Sequence, residues 1–100
     1  MNRSISHHTF LLETLRNPRE AAAYLDAVAE DGSLRDILKA IRNVADAQGG
    51  LLTLGRKTGL SRTTLYRTLS ERGNPEMATL EKILDVYNLR LGFVRQKKAA

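Results

Sequence analysis

Apolar side chains recur along this chain at spacings of three and four, and polar breaks cut the recurrence into short segments. The strongest run is Leu34, Ile37, Leu38, Ile41, Val44 and Ala45, which predicts a helix over 33–48 with one buried stripe. Ser33 opens it as an N-cap with Asp36 as a short-armed capping box, and Gly49-Gly50 closes it. Upstream, Asn17 caps, Pro18 suits a first helical position, and Glu20 lies at N3, where a carboxylate favours the positive helix end. The Ala-rich run that follows puts Tyr24, Leu25 and Val28 on one face and stops at Gly32, so a helix is predicted over about 18–31. Downstream come two short helical pieces split by Gly59, then the turn Arg72-Gly73-Asn74-Pro75. A last helix from about Glu76 to Tyr87 carries Met77, Leu80, Ile83, Leu84 and Tyr87 inward.

The ends read differently. Residues 1–12 show no capping signal and read as a flexible arm. Leu89–Val94 alternates apolar and non-apolar positions at first and reads as a short C-terminal strand. Residues 95–100 are a basic tail, leaving 13–94 as one helical domain. The expected fold is all-α, with about five short helices and no internal repeat.

Composition narrows the chemistry. One hundred residues allow one small domain, and 5% aromatics without Trp leave the core to Leu, Ile, Val and Ala. The absence of Cys excludes a disulfide framework, a thiol nucleophile and a Cys zinc site. The longest apolar run, Ala21 to Leu25, is too short to span a membrane, and the N-terminus carries no signal-like apolar stretch. A cytoplasmic protein without a membrane partner is expected. His7 and His8, the two histidines, supply too few ligands for a metal, and Gly49-Gly50 lacks the Gly-Lys-Ser/Thr of a phosphate cradle. No catalytic set and no cofactor are expected.

Charge divides the chain. Residues 1–50 hold six basic and seven acidic side chains, whereas residues 51–100 hold ten and four. The overall +5 therefore belongs to the second half, and an anionic partner is expected there.

Within that half, Leu51–Ser70 has the spacing of a helix-turn-helix. Gly59 suits a turn needing positive φ, Leu60 plugs the core beneath it, Ser61 caps the second helix, and Leu65 and Leu69 face inward together. Gly55 leaves room for the second helix to cross closely over the first. Arg62, Thr63, Tyr66, Arg67 and Ser70 then point outward, a face suited to base edges in a major groove. Arg56, Lys57 and Arg72 flank it as phosphate contacts. The plain alternative is a solvated face on a helical hairpin.

Residues 18–91 also resemble the antidote (antitoxin) proteins of bacterial addiction modules, the HigA-like group with a lambda-repressor-like helix-turn-helix. The resemblance rests on Pro18, Ala21, Tyr24 and Leu25, on the block Gly59–Ser70, on Gly73-Asn74-Pro75, and on Thr79–Leu84. It implies a double-stranded operator as partner, with Ser61, Arg62, Thr63, Tyr66 and Arg67 in the major groove and the Asn74-Pro75 loop along the backbone. It also implies a RelE/HigB-like ribonuclease toxin, autorepression of a shared operon, and a homodimer. Two departures stand out: Gly49-Gly50-Leu51-Leu52 replaces a more polar lead, and Gly55 occupies a position commonly Ala, at a helix-propensity cost of about 1 kcal/mol.

A basic toxin would be drawn to Glu20, Asp26, Glu30, Asp31 and Asp36 in the acidic half, although the same carboxylates also solubilise their helices. Two-fold operators call for two-fold proteins, and Leu89–Val94 either pairs with its symmetry mate or covers its own core. A DNA-binding antitoxin is the leading expectation. A stand-alone phage-type regulator without a toxin would share every DNA-contacting residue, and an interaction module would have dispensed with them.

Overall fold

The computed structural model describes residues 3–70 and 72–97, and among these the chain forms six helices and no strand. They are α1 (Arg3–Thr14), α2 (Pro18–Asp31), α3 (Leu34–Ala47), α4 (Gly50–Thr58), α5 (Arg62–Thr68) and α6 (Met77–Val86).

Their boundaries follow from local hydrogen-bond chemistry. Asn17 Oδ1 accepts the Arg19 and Glu20 N–H groups at 2.9 and 3.3 Å, opening α2. Ser33 Oγ accepts the Asp36 N–H at 3.3 Å while Asp36 Oδ2 accepts the Ser33 N–H at 3.0 Å, so the capping box of α3 is closed on both sides. Gly49, the N-cap of α4, and Gly50, its first residue, at φ 108° and 79°, take the chain from α3 into α4 through left-handed backbone.

α3 is the spine. Leu38, Ile41, Val44 and Ala45 are buried along it; α1, α2 and α4 pack against it, and α5 and α6 pack against α4. Leu54, Leu65, Leu69, Ile83, Leu84 and Tyr87 extend the same core. Two polar ties hold the first half: Asn43 Nδ2 donates to the Tyr24 hydroxyl and Gln48 Nε2 to the Leu15 carbonyl, each at 3.0 Å. Burial pushes the Tyr87 hydroxyl pKa up to about 12, with the Asp46 charge adding to the effect.

Three expectations are corrected. Residues 3–14 are helical, which raises the helix count from about five to six. The helix lacks a sequence-level cap, but Leu11 and the fully buried Leu15 lie four apart and pack onto the core, so tertiary packing supplies what the end signal does not. Leu89–Val94 is not a strand: Leu89 packs against the core, and Leu91, Phe93 and Val94 lie exposed in irregular chain with no strand beside them among the described residues. Leu34 and Met77 are exposed rather than inward. Each opens its helix, and because Cα–Cβ bonds tilt towards the N-terminus, a first-position side chain projects past the packed stripe.

Candidate nucleic-acid interface

The turn between α4 and α5 is fixed by a few side chains. Gly59 sits at φ 76° and donates its N–H to the Gly55 carbonyl at 2.8 Å, ending α4 in left-handed backbone. Thr58 Oγ1 donates to the Leu54 carbonyl at 2.8 Å and accepts the Leu60 N–H at 3.2 Å, holding Leu60 half-buried against the core. Ser61 Oγ then accepts the Thr64 N–H at 3.1 Å as the N-cap of α5.

The helices meet closely at Gly55. A Cβ there would stand 3.3 Å from the Leu60 carbonyl oxygen and 3.6 Å from Leu65 Cδ1. With Leu65, Thr68 and Leu69 buried, the opposite side of α5 turns to solvent and carries Arg62, Thr63, Tyr66 and Arg67. Ser61 is exposed at the head of that face. Ser70 differs: it lies beyond the end of α5, half-buried, with its hydroxyl donating to the Arg67 carbonyl at 2.9 Å.

Further cations stand before and after α5 along the chain. Arg56 and Lys57 are exposed in the last turn of α4, where positive charge complements the helix dipole. After α5 the chain doubles back through Gly73, whose N–H donates to the Ser70 carbonyl at 2.9 Å. A Cβ at Gly73 would fall 2.5 Å from the Thr68 carbonyl oxygen, so this return admits no side chain. It brings Arg72 and Asn74 to one groove of about 480 Å³ with Thr64, Arg67, Glu76 and Thr79. The outer face of α5 and this groove together carry guanidinium groups, hydroxyls, an amide, one aromatic ring and the Glu76 carboxylate.

Sequence reasoning missed one participant. Arg42 of α3 places its guanidinium carbon 5.1 Å from the centre of the Tyr66 ring, while its Nε donates to Asp46 Oδ1 at 3.2 Å. The i, i+4 spacing of Arg42 and Asp46 was a visible signal; the approach to Tyr66, which depends on how α3 and α5 are placed, was not.

The acidic set lies elsewhere. Glu20, Asp26, Glu30 and Asp31 are exposed on α2, which packs on α3, and Asp36 is committed to the capping box. His7 and His8 are exposed on α1, and among the described residues no three His, Asp or Glu side chains gather as metal ligands. No described helix is long and apolar enough to cross a membrane.

Comparison with known proteins adds two findings. A family model described as "Probable addiction module antidote protein" matches residues 8–95, a span holding every residue of the candidate interface and of the acidic set. An uncharacterized protein of Haemophilus influenzae is 33% identical over 78 residues, covering 78% of this chain and 79% of that one. No solved structure matches.

Proposed function

The chain belongs to the family of probable addiction module antidote proteins, and from that premise we propose that it is a DNA-binding antitoxin rather than an enzyme. In this reading it neutralises a RelE/HigB-like ribonuclease toxin in the cytoplasm and represses the operon that encodes both. α4, the Gly59 turn and α5 act as a lambda-repressor-like helix-turn-helix, with α5 in the major groove.

The observation that carries the DNA reading is the outward face of α5: Arg62, Thr63, Tyr66 and Arg67 are all exposed on a helix whose other side is sealed into the core. Arginine bonds guanine bidentately, and threonine meets several base edges and the thymine methyl. Ser61 heads this face, and Ser70, tied to its own helix end, stands at its margin. Arg72 and Asn74 line a groove with Arg67, Arg56 and Lys57 are exposed at the end of α4, and all four flanking residues are assigned to phosphates. A homodimer would place two such helices on two half-sites. The toxin is assigned to the acidic side of α2, through Glu20, Asp26, Glu30 and Asp31, because an RNA-cleaving partner is expected to be basic.

Co-expression with the small reading frame beside its own, followed by capture of this chain, tests the antitoxin half. Recovery of a small basic protein in complex, whose ribonuclease activity is silenced there, is the expected result. A chain that binds its upstream DNA but captures no such protein would instead be a stand-alone regulator.

A further inference from the structure

Tyr66 is not free on the face of α5. Its ring is covered by the guanidinium of Arg42, 5.1 Å from the ring centre and so within cation–π range. Arg42 is itself held from behind, since its Nε donates to Asp46 Oδ1 one helical turn further along α3. Both members of the ion pair are about one-third exposed, and Tyr66 is 47% exposed. α3 thus carries a braced cation, and the ring it meets stands on the face proposed to read DNA.

We infer that Arg42 is a positioning residue for DNA recognition: braced by Asp46, it fixes the orientation of the Tyr66 ring and so sharpens base discrimination by α5. This rests on the DNA-binding reading proposed above and adds a residue from outside the helix-turn-helix. A tyrosine side chain has two rotatable bonds, and an exposed ring on a short helix would otherwise sample several rotamers. Stacking one face on a guanidinium selects among them before DNA arrives, leaving the hydroxyl edge and the other face for the partner. Delocalised charge and a planar shape suit Arg to this contact better than a hydrated ammonium.

The test is a double-mutant cycle on the full chain. Its readout is the ratio of affinities for a duplex from upstream of its own reading frame and for a scrambled duplex of equal length. Arg42→Met is expected to lower that ratio about two- to fivefold, the size of a partly exposed cation–π contact. In a Tyr66→Ala background the same change should do nothing further. Tyr66→Phe keeps the ring and should keep the dependence on Arg42, while Arg42→Lys should recover part of the loss. Arg42→Gln serves as a second uncharged variant, with thermal midpoints checking that each protein is folded. Equal losses with and without Tyr66, or equal losses on both duplexes, would make Arg42 an independent phosphate contact and overturn the positioning role. No loss on Arg42→Met or Arg42→Gln would overturn it as well. A wild-type chain that does not distinguish the two duplexes would sink the DNA reading itself, and this role with it.

Discussion

The backbone at Gly55 and the carbonyl of Leu60 come within one atom of touching: a Cβ added to Gly55 would stand 3.3 Å from that oxygen. This gap sets how closely α4 and α5 cross, and with it the tilt of the face that carries Arg62 and Arg67. Gly55→Ala would gain about 1 kcal/mol of helix propensity and return part of it in a crowded contact, leaving a net change expected within about 1 kcal/mol. Gly55→Leu has no such room and should cost about 1–3 kcal/mol or more. Urea denaturation of both variants measures the difference.

Ser61 separates folding from recognition. Ser61→Ala removes the acceptor for the Thr64 N–H and should destabilise the protein by about 1 kcal/mol. Ser61→Asp keeps a cap and should hold stability near wild type. Its carboxylate would face phosphates, however, so DNA affinity should fall more than with Ala. Parallel thermal melts and binding titrations distinguish the two. An Asp variant that binds DNA as well as wild type would place Ser61 away from the nucleic acid.

Tyr87 predicts an alkaline transition. Its hydroxyl is raised to about 12 in the fold, first by burial and then by Asp46, against about 10 in the unfolded chain. The neutral phenol is favoured by the fold, so its contribution to stability is complete below pH about 10 and is lost as pH climbs through about 12. Tyr87→Phe should therefore lose less stability than wild type between those limits. Denaturation midpoints compared across that range would show parallel curves if burial of the hydroxyl has no such consequence.

The acidic side of α2 should answer to toxin and not to DNA. Asp26→Lys, Glu30→Lys and Asp31→Lys combined lie on exposed positions, and Lys at Asp31, the last residue of α2, suits the negative helix end. The fold should change by no more than about 0.5 kcal/mol per site. Capture of the co-expressed toxin should weaken strongly while DNA affinity is kept. Undiminished capture would move the toxin contact to another surface.

What the sequence made legible was chemistry confined to a few neighbouring residues. Asn17-Pro18, the Ser33–Asp36 box and the Gly59–Ser61 turn each satisfy their own backbone groups, so spacing alone located them. Residues 1–12 read as an arm in sequence because the helix Arg3–Thr14 has no such signal and depends on Leu11 and Leu15 finding α3. Met77 and Leu34 carry the right period but stand at first helical positions, where periodicity says nothing of whether the packed stripe reaches. The outward set on α5 followed from the Leu65–Leu69 stripe, but Ser70 falls past the helix end, which the period could not show. The contact of Arg42 with Tyr66 joins α3 to α5 across the intervening α4, and only the packed arrangement reveals it.

Binding of the full chain and of its Arg62→Ala and Arg67→Ala variants to the duplex upstream of its own reading frame, titrated across salt concentrations, tests the central claim most directly. The account predicts tight binding by wild type that weakens steeply with added salt. Each substitution should cost about 1–3 kcal/mol on this duplex and much less on a scrambled one. Binding that ignores salt, or that is as strong in both the Arg62→Ala and the Arg67→Ala variants as in wild type, would contradict a groove-reading α5.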